Sequence, residues 1–175
     1  MAMVSVIFAC KDKKDNKEKS SEDIVAEISP KEMAIPKDLK WSERMLLSEI
    51  KRFPEASKLD FREEPKWSYT NGLVLMAAKR VYEQTQKQKY YDYIYDYSDA
   101  MITDQGKIKT YELEKQNLDM LKSGDVLLYL YPKTKEERFL TALKTLRSQI
   151  DSQPRTSDGG FWHKKRYTHQ MWLDG

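Results

Sequence analysis

Two stretches of this chain are apolar on every side when read at a helical period. Gly72-Leu-Val-Leu-Met-Ala-Ala78 and Val126-Leu-Leu-Tyr-Leu-Tyr131 leave no wet face. A helix without a wet face has to be enclosed by protein. Both stretches fall within longer predicted helices, Tyr69–Gln84 and Leu118–Tyr131. The helices around them are different. Leu39–Phe53 has a single stripe of Leu46, Ile50 and Phe53, with Glu43, Glu49 and Lys51 on the remaining surface. Lys89–Thr103 has Tyr90, Ile94, Tyr97 and Met101, with Asp92, Asp96 and Asp99 turned outward. Lys135–Asp151 has Phe139, Leu143, Leu146 and Ile150, and opens on a capping box of Thr134 and Glu137. A sixth helix is expected to begin near Gln170. One-faced and enclosed helices therefore alternate. That predicts an all-α fold in which helical hairpins wind into two concentric layers, an α/α toroid. A helical repeat array is the rival, but no fixed period runs through the sequence. Loops 54–67 and 104–116 are long enough to carry function.

A length of 175 residues fits one domain. Thirty-one basic and 28 acidic residues leave a net charge of +3. That is too balanced for a nucleic-acid partner, which calls for a concentrated basic stripe. The Lys-rich run 11–19 is broken by acids and reads as a solvated tether. Residues 11–37, with Pro30 and Pro36, form a predicted flexible linker, and 38–175 the helical domain. Cys10 is the single cysteine, so no intrachain disulfide is possible. Ile7-Phe8-Ala9-Cys10 resembles the end of a bacterial lipoprotein signal. Residues 1–10 are thus read as its remnant, Cys10 as a lipidated membrane tether, and the cell envelope as the location. Phe8, the short apolar run and the missing basic region depart from that pattern. No segment is long enough to span a membrane.

In a toroid the starts of the enclosed helices lie on one rim. Those starts hold Trp67 and Tyr69, then Asn117 and Asp119, then Trp172 and Asp174. Two carboxylates and several aromatic groups would converge there. Paired carboxylates raise one pKa and yield a general acid near neutral pH, while a helix N-terminus pulls the other way. Either acid could instead serve as a helix cap. After the Gly159-Gly160 turn come His163, able to hold or polarise a substrate, and Lys164, able to pair with a sugar carboxylate. His169 lacks such context and reads as surface. Arg155 reads as a bridge between loop carbonyls. Trp162 and Trp172 read equally as stacking faces or as packing. No Gly-rich phosphate loop, H-E-x-x-H, Gly-x-Ser-x-Gly or cysteine cluster occurs, and no cofactor or metal is expected.

Five motifs in register, Trp67-Ser-Tyr-Thr-Asn-Gly-Leu73, Asn117-Leu-Asp-Met-Leu-Lys-Ser-Gly124, Pro154-Arg-Thr, Gly160-Phe-Trp-His-Lys164 and Gln170-Met-Trp-Leu-Asp-Gly175, resemble glycoside hydrolase family 105. These are the unsaturated rhamnogalacturonyl hydrolases, related to the family 88 unsaturated glucuronyl hydrolases. The resemblance runs from about Trp41 to Gly175. It implies an (α/α)6 barrel, of which about the first half is present. It also implies hydration of the vinyl-ether double bond of a 4,5-unsaturated uronic acid at the end of a lyase-generated pectin oligosaccharide. Asp174 would be the general acid/base and Asp119 its partner carboxylate, with Tyr69, His163, Lys164 and Trp172 binding substrate. The family's roughly twelve helices make this chain read as a C-terminally truncated fragment with little activity of its own. Its half-toroid would leave an apolar patch bare. The alternatives are a noncatalytic carbohydrate-binding or scaffold protein on the same toroid, and a sugar epimerase, which would call for more than the two histidines present.

Overall fold

The computed structural model describes residues 34–173. Among the described residues five α-helices carry the fold: α1 (Trp41–Arg52), α2 (Tyr69–Thr85), α3 (Gln88–Met101), α4 (Gly124–Thr134) and α5 (Glu137–Ser152). Among the described residues there is no named strand, only isolated bridges. From Ile35 onward the described residues form one unit. Helices α2 and α3 make one antiparallel hairpin and α4 and α5 the next, while α2 packs on both α1 and α4. Each hairpin turns on a left-handed residue, Gln86 (φ 53°) and Lys135 (φ 60°). Their N–H groups return to Tyr82 O and Tyr131 O and satisfy carbonyls at the helix ends.

The stripe predicted on α3 is fully buried: Tyr90, Ile94, Tyr97 and Met101 are each at most 1 % exposed. It packs with Leu75 and Ala78 of α2, Leu127 and Leu130 of α4, and Phe139 of α5 into one core. The all-apolar helices are enclosed on one side only. Leu73 on α2 and Leu128 on α4 are 60 % and 62 % exposed, so an apolar face is bare among the described residues, as expected of a half-toroid. The candidate capping box does not form. Thr134 is still the last residue of α4, and its hydroxyl accepts the N–H of Glu136, which itself stands at the start of α5.

Helix α4 starts at Gly124, six residues later than the periodicity predicts. Residues 118–123 are wound more tightly, with N–H groups of Leu121, Gly124 and Asp125 bonding back three residues. The carbonyl that would continue an α-helix from Met120 is taken by Trp67 Nε1, at 2.7 Å. Trp67 is completely buried and stacked on Tyr97, so it is core rather than a rim aromatic. The turn is also fixed from the other side. A Cβ on Gly72 would lie 2.6 Å from Lys122 C and Ser123 N, both backbone atoms. Ser123 then links three elements: its hydroxyl bonds Ser68 O and receives Tyr97 OH.

Glu43 departs from its expected place on the wet side of α1. It is 5 % exposed and accepts hydrogen bonds from Lys87 Nζ and from Tyr90 OH, the latter at 2.7 Å. These two bonds, Lys87's first, hold its carboxyl below the ordinary 4.5. A lowered folded value means the contribution is complete above pH 4.5 and is lost as the pH falls through the folded value. Glu43→Gln should therefore destabilise the protein at neutral pH by about 1.5–3 kcal/mol. The difference from wild type should shrink in acid, as read by urea unfolding across pH. Gly72→Ala should cost about 1–3 kcal/mol in the same measurement at every pH.

Candidate active site

Asp119 sits in the short 3₁₀ turn Leu118–Met120, where Asn117 Oδ1 accepts its N–H at 3.1 Å. Its carboxylate does not cap a helix. Oδ1 lies 2.9 Å from His163 Nε2 and Oδ2 lies 2.7 Å from Lys164 Nζ. Side-chain exposures are 15 % for Asp119, 14 % for Lys164 and 1 % for His163. Oδ2 is thus paired with the Lys164 ammonium in a largely dehydrated place, while Oδ1 touches the buried His163 ring without a hydrogen bond to it. There a charge-assisted pair is far stronger than at the surface, and loss of one partner strands the other.

The partners come from a strip 44 residues downstream (163 − 119) that is laid against the turn by backbone bonds. Leu118 N–H donates to His163 O at 3.0 Å and Lys165 N–H to Gln116 O at 3.3 Å, while His163 N–H reaches Gln170 O at 2.6 Å. Gln170 is held in this bonded strip, and no helix has begun by Leu173, the last described residue. A buried amide relay locks the strip to α5. Tyr111 OH donates to Gln149 Oε1, Gln149 Nε2 donates to Gln153 Oε1, and Gln153 Nε2 donates to both Gln116 O and Trp162 O at 2.8 Å. Arg155 was expected to bridge loop carbonyls; it donates to one, Gly159 O, at 2.8 Å and lies over the Phe161 ring.

Trp172 stacks on His163 with ring centroids 4.4 Å apart and planes 14° apart, and also on Tyr167. Lys164 Nζ stands 4.6 Å from the centre of the same indole, within cation–π range. Trp172 therefore braces the His163–Lys164 pair while remaining 39 % exposed. Trp162 packs on His169, which is exposed at a left-handed turn. Tyr69, at the first turn of α2, is 46 % exposed and lines one cleft of about 540 Å³ together with Asp119. Leu73, Leu121, Ile150 and Phe161 form the cleft's apolar wall, and the Lys122–Asp125 ion pair (2.7 Å) its polar edge.

Five sequence-predicted site residues thus come together: Tyr69 and Asp119 at the cleft, His163 and Lys164 on Asp119, and Trp172 behind them. Asp174 and Cys10 lie outside the described residues. The Lys122–Asp125 pair and the glutamine relay were missed by sequence reasoning. Gln149 on the apolar side of α5 and Gln153 just past its end were the available signal, because a polar residue inside a buried stripe needs partners.

The family model described as Glycosyl Hydrolase Family 88 matches residues 41–175. Among solved structures the chain is similar to a glycoside hydrolase from family 105 of C. acetobutylicum ATCC 824, with a TM-score of 0.67 and 38% sequence identity. The match covers 78% of this chain and 36% of that one, so the chain spans little more than a third of that protein's length. Since Gln153 holds two carbonyls of the site, Gln153→Leu should cost about 1–3 kcal/mol. It should also speed amide hydrogen exchange at Leu118 and His163 while leaving the amides of α1 at wild-type rates.

Proposed function

The chain belongs to Glycosyl Hydrolase Family 88, and on that footing we propose that its Asp119 cleft is part of a site that hydrates the double bond of a 4,5-unsaturated uronic acid. The carrying observation is the half-buried Asp119 carboxylate, paired with Lys164 through one oxygen and set against the buried His163 ring at the other. Paired in this way it serves as an anion of fixed position that orients the attacking water, rather than as the proton donor. The donor role falls to Asp174, through the motif resemblance. Asp174 gives a proton to C4, water adds to C5 and returns a proton to Asp174. The hemiketal so formed at C5 opens to a ketone. This leaves a hemiacetal at C1, which collapses to an aldehyde and releases the next sugar.

The geometry changes one expected role. Lys164 is already paired with Asp119, so a uronate carboxylate meeting Lys164 would share it. Lys164 then sets the charge balance of the site more than it anchors substrate alone. Tyr69 offers an exposed ring and hydroxyl at the mouth of the same cleft. The substrate proposed is the unsaturated end of a lyase-generated rhamnogalacturonan oligosaccharide. Lipidation of Cys10 and a place in the bacterial cell envelope go with this reading, and palmitate labelling that depends on Cys10 tests them.

The full-length protein should abolish the ultraviolet absorbance of a lyase-treated rhamnogalacturonan disaccharide. Asp119→Asn should lower kcat by about 10²–10³-fold, the usual scale for loss of one preorganised polar group, with a smaller change in KM. Absence of any decay with the full-length wild type, or an Asp119→Asn enzyme as fast as wild type, overturns the reading.

A further inference from the structure

Across the Asn117–Met120 turn from the first cleft lies a second, of about 750 Å³, within the roughly 300–1,000 Å³ of ordinary ligand sites. Five cations line it, Lys66, Lys115, Lys164, Lys165 and Arg166, against Glu112 and Glu114. Two of the five are already paired: Lys115 with Glu112 at 2.6 Å, and Lys164 with Asp119. Among the described residues no carboxylate pairs with Lys66, Lys165 or Arg166, and Glu114 is the one acid left facing them. Three unneutralised cations in a partly enclosed cleft focus a positive potential on whatever enters it.

The backbone carrying these cations is anchored. Lys66 N–H bonds Ser57 O at 2.9 Å, just before the buried Trp67. Lys165 N–H bonds Gln116 O, and Tyr167 N–H closes a tight turn onto Lys164 O at 2.9 Å. The Arg166 guanidinium lies 4.5 Å from the Tyr167 ring and donates to its hydroxyl. The two clefts also share their dividing wall. Asn117, which receives the Asp119 N–H, lines the second cleft, and so does Lys164, whose ammonium holds Asp119.

We infer that the second cleft binds another acidic group of the same oligosaccharide, a carboxylate beyond the unsaturated end. It thereby selects acidic chains over neutral ones. The inference rests on reading the Asp119 cleft as the hydration site, but its test does not need turnover. The full-length protein is titrated calorimetrically with a saturated galacturonate tetrasaccharide, which has no double bond to hydrate, and with a neutral tetrasaccharide. Wild type should bind the acidic chain at least about tenfold more tightly, with the preference weakening as salt is added. Lys165→Ala combined with Arg166→Ala should erase most of that preference. Lys66→Gln, on a separate segment, should reduce it in the same direction and guards against a folding defect in the double variant. Equal affinity for the two chains, or a preference that survives both sets of substitutions, overturns the inference. A preference that holds while the unsaturated disaccharide is never consumed sinks the hydration reading and leaves the acidic cleft standing.

Discussion

The approach of α2 to the Lys122–Ser123 backbone, so close that Gly72 has no room for a Cβ, is the contact on which the site depends. It brings two inner helices together at their starts. It also prevents residues 118–123 from relaxing into a regular α-helix, because Met120 O is at the same time held by the buried Trp67 indole. The Asp119 side chain therefore leaves the chain from a turn rather than from a helix, and it meets the Lys164 ammonium instead of helix N–H groups. A core contact thus decides the electrostatics of a surface cleft.

Around Asp119 the protein assembles a compensated charge cluster. One carboxylate is opposed by one lysine and lies against one histidine ring, and the indole of Trp172 covers the last two. Such a cluster is stable only while complete, since removing a member leaves a buried charge without its partner. The glutamine relay from α5 serves that completeness, fixing the Trp162 and Gln116 carbonyls and so the register of the His163 strip. Fold and site are thus supported by the same few hydrogen bonds.

Much of this was legible in the sequence. The Tyr90–Met101 stripe marked the buried face of α3 correctly because four large apolar groups at helical spacing leave no other choice. Asp119 was flagged by its place on a shared rim, and His163 and Lys164 by residue type after the Gly159-Gly160 turn, and the structure places the three in contact. What escaped had physical reasons. Glu43 looked solvent-facing, and nothing local in sequence tells that Lys87 and Tyr90 lie above it. The start of α4 was placed too early because Leu118 and Leu121 fall at helical spacing ahead of the apolar run, while the Trp67–Met120 bond that breaks the helix there joins residues 53 apart. Trp67 looked like a rim aromatic, since sequence does not tell an exposed indole from one inside the core. Gln149 and Gln153 signalled in sequence that partners were needed, but which carbonyls they serve shows only once residues 116 and 162 are brought near.

The central claim is that Asp119 and Lys164 act as one unit, and a double-mutant cycle on unfolding free energy tests it most directly. Asp119→Asn, Lys164→Met and the combined variant would be unfolded in denaturant beside wild type. The account predicts strong coupling, about 1 kcal/mol or more, with the double variant losing clearly less than the sum of the singles. Losses that add within about 0.5 kcal/mol would contradict it, because they would mean that the two side chains are neighbours without being partners.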